Sequence, residues 1–234
     1  MDTDELRKLY KIDLGRTKYQ EVWDTQKRLV ELRAENRIPD ILILTEHEPV
    51  ITMGRGASKK NLLVSPEALR ERGVGLYEIE RGGDITFHGP GQLVAYPIID
   101  LNYRERDLHK YLRDLENLVI DTLNELGIVA GTKEGLTGVW VGNSKVAAIG
   151  VAVSRWITYH GLALNVKTDL DFFKLINPCG ITEFPVGSIS QHLGQEQDMN
   201  HVAELLTNNF ARLFNYEIES IDDLDSVIPE IETA

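Results

Sequence analysis

The sequence predicts an α+β fold: a mixed, largely antiparallel sheet flanked by helices. Four stretches repeat apolar residues at three and four, the mark of a helix with one buried face, and short runs rich in Val, Ile and Leu lie between them. The last three runs are joined only by Gly142-Asn143-Ser144 and Ser154-Arg155, which suit antiparallel hairpins and are too short for parallel crossovers. The order also lacks the strict strand-helix alternation of a doubly wound sheet.

In chain order, Tyr19, Val22, Trp23, Gln26, Leu29 and Val30 form the first helical stripe, with Thr17 ahead of it as a candidate cap. Strands are expected over residues 41–45 and 50–53. Ser65-Pro66-Glu67 opens a second helix, hydroxyl as cap and proline in the first turn, and Gly73 stops it. Strands over 76–79 and 93–99 bracket a glycine-rich segment. Asp107 opens and Gly127 closes the clearest stripe, Leu108, Tyr111, Leu112, Leu115, Leu118, Val119, Thr122 and Leu126. Strands over 139–141, 146–153 and 157–166 follow. Val202, Leu205, Leu206, Phe210 and Leu213 form the last helix, capped by Asn200 or Asp198.

Of the 234 residues 42% are hydrophobic and 26% charged, ordinary globular usage with enough apolar side chain for a real core. Lys and Arg total 25 against 37 Asp and Glu, a net charge of −12. That balance argues against nucleic acid as a partner, because such binding needs clustered cations to displace counterions. Unbroken apolar runs fall far short of the ~20 residues of a membrane span. One cysteine excludes an internal disulfide, and Met1-Asp2-Thr3-Asp4 opens no arginine-rich or apolar leader, so a cytoplasmic protein is expected. No basic residue follows Arg212, whereas Glu217, Glu219, Asp222, Asp223, Asp225, Glu230 and Glu232 do. The expected organisation is one catalytic domain over 1–216 and a solvated acidic tail over 217–234, with residues 220–234 dispensable for turnover to within about twofold.

Several familiar motifs fail by position. His47-Glu48-Pro49-Val50 begins like a zinc-protease helix, but position 51 is Ile and the proline breaks the helix. No phosphate-cradling Gly-x-x-x-x-Gly-Lys-Ser/Thr is present. The segment from Arg81 to Gln92 remains, with four glycines, a proline and the ionisable Arg81, Asp84 and His88 between two strands. It reads as a ligand-facing loop whose bare backbone can approach a substrate. Cys179 lies between Pro178 and Gly180 on a tight, non-helical segment where a thiol can face a cleft. A thiol of pKa ~8.5 needs a neighbour that favours the thiolate to act as nucleophile. Lys145, at the start of an apolar strand, is either a solvated edge charge or that neighbour. His160, alone, reads as a hydrogen-bonded core histidine.

Together these segments resemble the lipoyl(octanoyl) transferase family, which moves an octanoyl group from acyl carrier protein to lipoate-dependent enzymes. The match runs through residues 47–55, 81–92, Gly138-Val139-Trp140-Val141-Gly142, 145–150, 160–165 and Pro178-Cys179-Gly180. The resemblance implies a catalytic domain related to biotin and lipoate protein ligases. It implies Cys179 as acyl-thioester cysteine and Lys145 as the lysine that favours its thiolate. It also implies substrate contacts from Arg81, Gly82, Gly83, Asp84, Ile85, Thr86, Phe87 and His88, with more from Ala148, Ile149, Gly150, His160, Gly161 and Leu162. Phe87 stands where Tyr is usual, Ala148 where Ser is common, and Gly187-Ser188-Ile189 in place of Thr-Ser-Leu. The implied donor is octanoyl-acyl carrier protein, and the acceptors are lipoyl domains of 2-oxoacid dehydrogenases and the glycine cleavage H protein. A monomer with no cofactor and no metal is expected. ATP-dependent ligation on the same fold and non-catalytic acyl binding are the alternatives, and neither requires an acyl-cysteine.

Overall fold

The computed structural model describes residues 6–178 and 184–228. Cys179 lies outside the described residues. Strand β1 (Arg7–Thr17) leads into helix α1 (Tyr19–Ala34), strands β2 (Asp40–His47) and β3 (Val50–Met53), helix α2 (Pro66–Glu71) and strands β4 (Gly75–Glu78), β5 (Ile85–His88) and β6 (Gln92–Ile98). Helix α3 (Leu108–Glu125) is followed by strands β7 (Gly131–Lys133), β8 (Leu136–Val141), β9 (Ser144–Ser154) and β10 (Ile157–Asn165). Helices α4 (Ile189–Leu193) and α5 (Met199–Phe214) and strand β11 (Tyr216–Ser220) complete the described chain.

The main sheet has eight strands in the order β11-β1-β2-β6-β10-β9-β8-β7, antiparallel except for the parallel pairs β11/β1 and β1/β2. A second sheet of three strands, β4-β3-β5, packs as a smaller body. Both expected hairpins, β8/β9 and β9/β10, are present. Strand alternation divides the core. Leu42 and Leu44 of β2, Leu93 and Ala95 of β6 and Leu162 and Leu164 of β10 pack with α3 and α5. Ile41, Ile43, Val94, Tyr96 and Ala163 pack on the opposite face with α1.

The helix signals work as read, with one exception. Ser65 Oγ accepts the Ala68 N–H at 3.3 Å, Asp107 accepts those of His109 and Lys110 at 2.8 and 3.1 Å, and Asp198, not Asn200, caps α5. Thr17 does not cap α1. It ends β1, its hydroxyl is held by Thr45 at 2.8 Å, and Lys18 occupies the cap position with no side-chain bond. Two expectations need correction. Residues 85–88 are a strand rather than part of a loop, because β5 pairs antiparallel with β3 and all four residues are buried. The segment after 216 is not all a solvated tail. Residues 216–220 pair with 7–11 of β1, Ile228 is buried, and Ile221, Leu224 and Val227 pack beside it on the α1 core. Acidic side chains alternate there with apolar ones, and the apolar set is what docks. Among the described residues no helix is long and apolar enough to cross a membrane.

Candidate active site

A cavity of about 460 Å³ opens between β6, β9 and β10 of the main sheet and β5 of the small one. Its roof starts at Arg81. The amides of Gly54, Arg55 and Gly56 donate to the carbonyls of Asp84, Arg81 and Gly83 at 3.1, 3.0 and 3.0 Å. A Cβ on Gly54 would stand 2.5 Å from the Gly83 carbonyl oxygen, so only glycine permits this contact. Gly82 N–H donates to Val151 O at 2.9 Å and ties the roof to β9. The buried Arg81 guanidinium donates to the Thr52 carbonyl at 2.7 Å and hydroxyl at 3.0 Å. Asp84 accepts from the amides of Ile85 and Ser58 at 2.8 and 3.2 Å and from the Asn61 side chain. Its carboxylate therefore shapes the loop.

Behind the roof lies a buried polar layer. His88 Nδ1 donates to Gln92 Oε1 at 2.8 Å, and Gln92 Nε2 donates to Asn165 Oδ1 at 2.9 Å and to Phe87 O at 3.1 Å. Asn165 passes the chain on to Gly187 O at 3.0 Å. His47 Nε2 lies 2.8 Å from the Tyr96 hydroxyl. Burial lowers the His47 imidazole to about 4, and burial reinforced by His47 lowers His88 to about 3. Burial and the nearby Arg81 also hold His160 well below its ordinary value. All three rings are neutral at pH 7.

Lys145 stands at the other end of the wall, at the start of β9. Its Nζ donates to the Thr137 carbonyl at 2.8 Å and lies 5.6 Å from the Trp140 ring centre. Gly138 makes room for it, since a Cβ there would sit 2.5 Å from Lys145 Cε. The Lys145 backbone bonds Pro185 O and Gly187 N, each at 2.9 Å, fixing the stretch after the undescribed residues beside β9. Pro178, the residue before Cys179, lines the same cavity as Lys145.

Of the expected contacts, Arg81, Gly83, Asp84, Ile85, Thr86, His88, Lys145, Ala148, Ile149, Gly150, His160, Gly161 and Leu162 line the cavity. Gly82 and Phe87 do not. Phe87 points into the small-sheet core, stacked 4.8 Å from Phe172, as its place on the alternate face of β5 requires. Sequence reasoning missed Tyr19, Tyr96, Thr137 and Asn165, which line the cavity from distant elements. His47, set aside as a failed zinc motif, anchors Tyr96.

Residues 18–211 match the family described as the lipoyl protein ligase A/B catalytic domain. The chain belongs to this family. Among its relatives, the octanoyltransferase of Koribacter versatilis is 47% identical over 223 residues, 93% of this chain and 89% of that one. The octanoyltransferase of Solibacter usitatus is 48% identical over 205 residues, 88% and 92% of the two chains. The bipartite lipoate protein ligase of Thermoplasma acidophilum shares the fold of this lipoyl protein ligase A/B catalytic domain, with a TM-score of 0.70 at 17% identity over 95% of this chain and 90% of that one.

Proposed function

We propose that the protein is an octanoyltransferase acting in protein lipoylation through a thioester on Cys179. It takes the octanoyl group from octanoyl-acyl carrier protein and delivers it to a lysine of lipoyl domains, those of 2-oxoacid dehydrogenases and the glycine cleavage H protein. It works as a cytoplasmic monomer. The observation that carries the reading is one cavity with the amine of Lys145 and Pro178 at one end and the apolar wall of Ala147, Ala148 and Ile149 beyond them, in a chain 47–48% identical to octanoyltransferases.

The Cys179 thiolate attacks the carbonyl of the donor thioester. The tetrahedral adduct expels the carrier's thiolate, which takes the proton of the Lys145 ammonium, and leaves acyl-Cys179 beside a neutral Lys145 amine. Exchange between two thioesters is nearly isoergic. The acceptor amine then attacks the acyl-Cys179 carbonyl, Lys145 receives the amine's proton, and the Cys179 thiolate leaves as the amide forms. Thioester to amide is downhill and needs no ATP. Thr137 and Trp140 fix where the Lys145 amine stands. His88 and His160 are too weakly basic at pH 7 to share that role. The apolar wall holds the alkyl chain, each buried methylene contributing ~0.8 kcal/mol.

Intact mass spectrometry after incubation with octanoyl-acyl carrier protein tests the reading. One octanoyl increment, released by hydroxylamine and mapped to Cys179, is expected. An unmodified mass, an adduct on a lysine, or full transfer by Cys179→Ala supplied with ATP would overturn the covalent route.

A further inference from the structure

His160 stands in a strand with a backbone no strand residue ordinarily takes, φ +57°. The pairing of β10 with β6 explains where the ladder gives way. Leu162 pairs with Ala95 and Ile157 bridges Asp100, and that common register puts His160 opposite Pro97. Proline has no N–H to offer there. The Pro97 carbonyl instead accepts from the Thr158 hydroxyl at 2.7 Å, and the His160 N–H turns out of the ladder to Gln26 Oε1 at 2.7 Å. Gln26 sits on α1, fully buried.

The consequence concerns a face. By alternation His160 shares parity with Leu162 and Leu164, whose side chains enter the core under α3 and α5. Its imidazole lies instead on the α1 side, with ring centres 6.5 Å from Tyr96 and Nε2 3.7 Å from the Glu80 carboxylate, which is held by Trp23 Nε1 at 3.0 Å. His160 Nε2 is buried without a hydrogen-bond partner, and the ring lines the acyl cavity. On β10, His160 is opposite Val151 of β9, whereas the Lys145 amine is held at Thr137 of β8, two residues beyond Val139, which faces Ala147 of β9. The ring therefore faces the cavity two strands across from the amine, with β9 between them.

We propose that Gln26 is a positioning residue for acyl-chain length: by holding the His160 N–H, it keeps the imidazole turned into the cavity as part of its wall. This rests on the octanoyl-transfer reading. Without the acceptor oxygen, His160 reverts to ordinary strand backbone, the ring leaves the cavity, and longer chains fit.

The test measures transfer of octanoyl, decanoyl and dodecanoyl groups from acyl carrier protein to a lipoyl domain, with melting temperature followed in parallel. Gln26→Met keeps the volume and removes the acceptor. His160→Gly takes the same backbone without strain and removes the wall. Both should raise the dodecanoyl-to-octanoyl rate ratio about tenfold, what fewer than two further buried methylenes supply. Gln26→Glu, which returns an oxygen to the same place, should restore the wild-type ratio. If Gln26→Met fails to fold, Gln26→Asn, which draws the acceptor back by one carbon, is read in its place. Equal loss at every chain length, or a shift in His160→Gly alone, would overturn the proposal. A wild-type enzyme that transfers no acyl group at any length would instead overturn the reading on which it rests.

Discussion

Acid should unfold this protein through its neutral histidines, and His47 allows the effect to be isolated. In the fold burial holds His47 at about 4, against 6.5 for an ordinary histidine. Because the folded value is the lower one, the unfolded chain binds the extra proton between these limits. The contribution is complete above pH 6.5 and is lost as pH falls toward 4. At pH 5, one and a half units below the ordinary value, the loss from this ring is about 2 kcal/mol. His88, held at about 3, adds a similar amount on the same side. Together they remove a large part of the 5–15 kcal/mol typical of a domain. In His47→Gln the ring is replaced by an amide that keeps a partner for the Tyr96 hydroxyl and does not titrate. Urea unfolding at pH 8, 6 and 5 should show the variant less stable at pH 8, with its deficit shrinking by about 2 kcal/mol at pH 5. Carboxylates titrate alike in both proteins and cancel. A deficit that stays constant with pH would refute the reasoning.

Lys145→Ala should acylate Cys179 slowly, whereas Lys145→Arg, which keeps the charge and cannot accept a proton, should accumulate octanoyl-enzyme without delivering it, as seen by quenched-flow mass spectrometry. Removing residues 221–234 takes away Ile228 and its neighbours from the α1 core, and should lower stability by about 2 kcal/mol in denaturant while octanoyl turnover at 25 °C stays within about twofold. Arg33, whose Nε lies 2.6 Å from Asp40 and whose Nη2 lies 3.3 Å from Asp100, is buried. Arg33→Met should cost about 3–5 kcal/mol in the same assay, because it takes the buried cation from two buried carboxylates and leaves Asp40 with the half-exposed Arg7 and Asp100 with the amides of Asn102.

The sequence revealed those parts of the fold whose signals are local. Caps at Ser65, Asp107 and Asp198 are read from a few neighbouring residues, and the β8–β9–β10 hairpins from the brevity of their turns. Strand β1 went unread because Lys8, Lys11, Asp13 and Arg16 interrupt its apolar residues, and its pairing with β2 and β11 compensates. Strand β5 was hidden among glycines that serve the roof. At the site, Arg81, Lys145 and Gly150 could be found from their motifs. Tyr19 and Tyr96 could not, because only the packing of α1 on the folded sheets brings them to one wall. The direction of His160 depends on a proline in another strand, and no pattern within β10 predicts it.

The first and last described strands are neighbours at one edge of the main sheet, while the cavity is built on β6, β9 and β10, with β1 and β2 standing between. Opening of that edge is therefore a sub-global event. Strand β11 pairs only with β1, so its detachment leaves the pairing of every strand that walls the cavity intact. Closing the β1–β11 pair also spans nearly the whole chain, so it adds little to the equilibrium cost of folding but places this contact late in assembly. A nascent chain could thus complete the walls of its catalytic chamber before its outermost strand has settled.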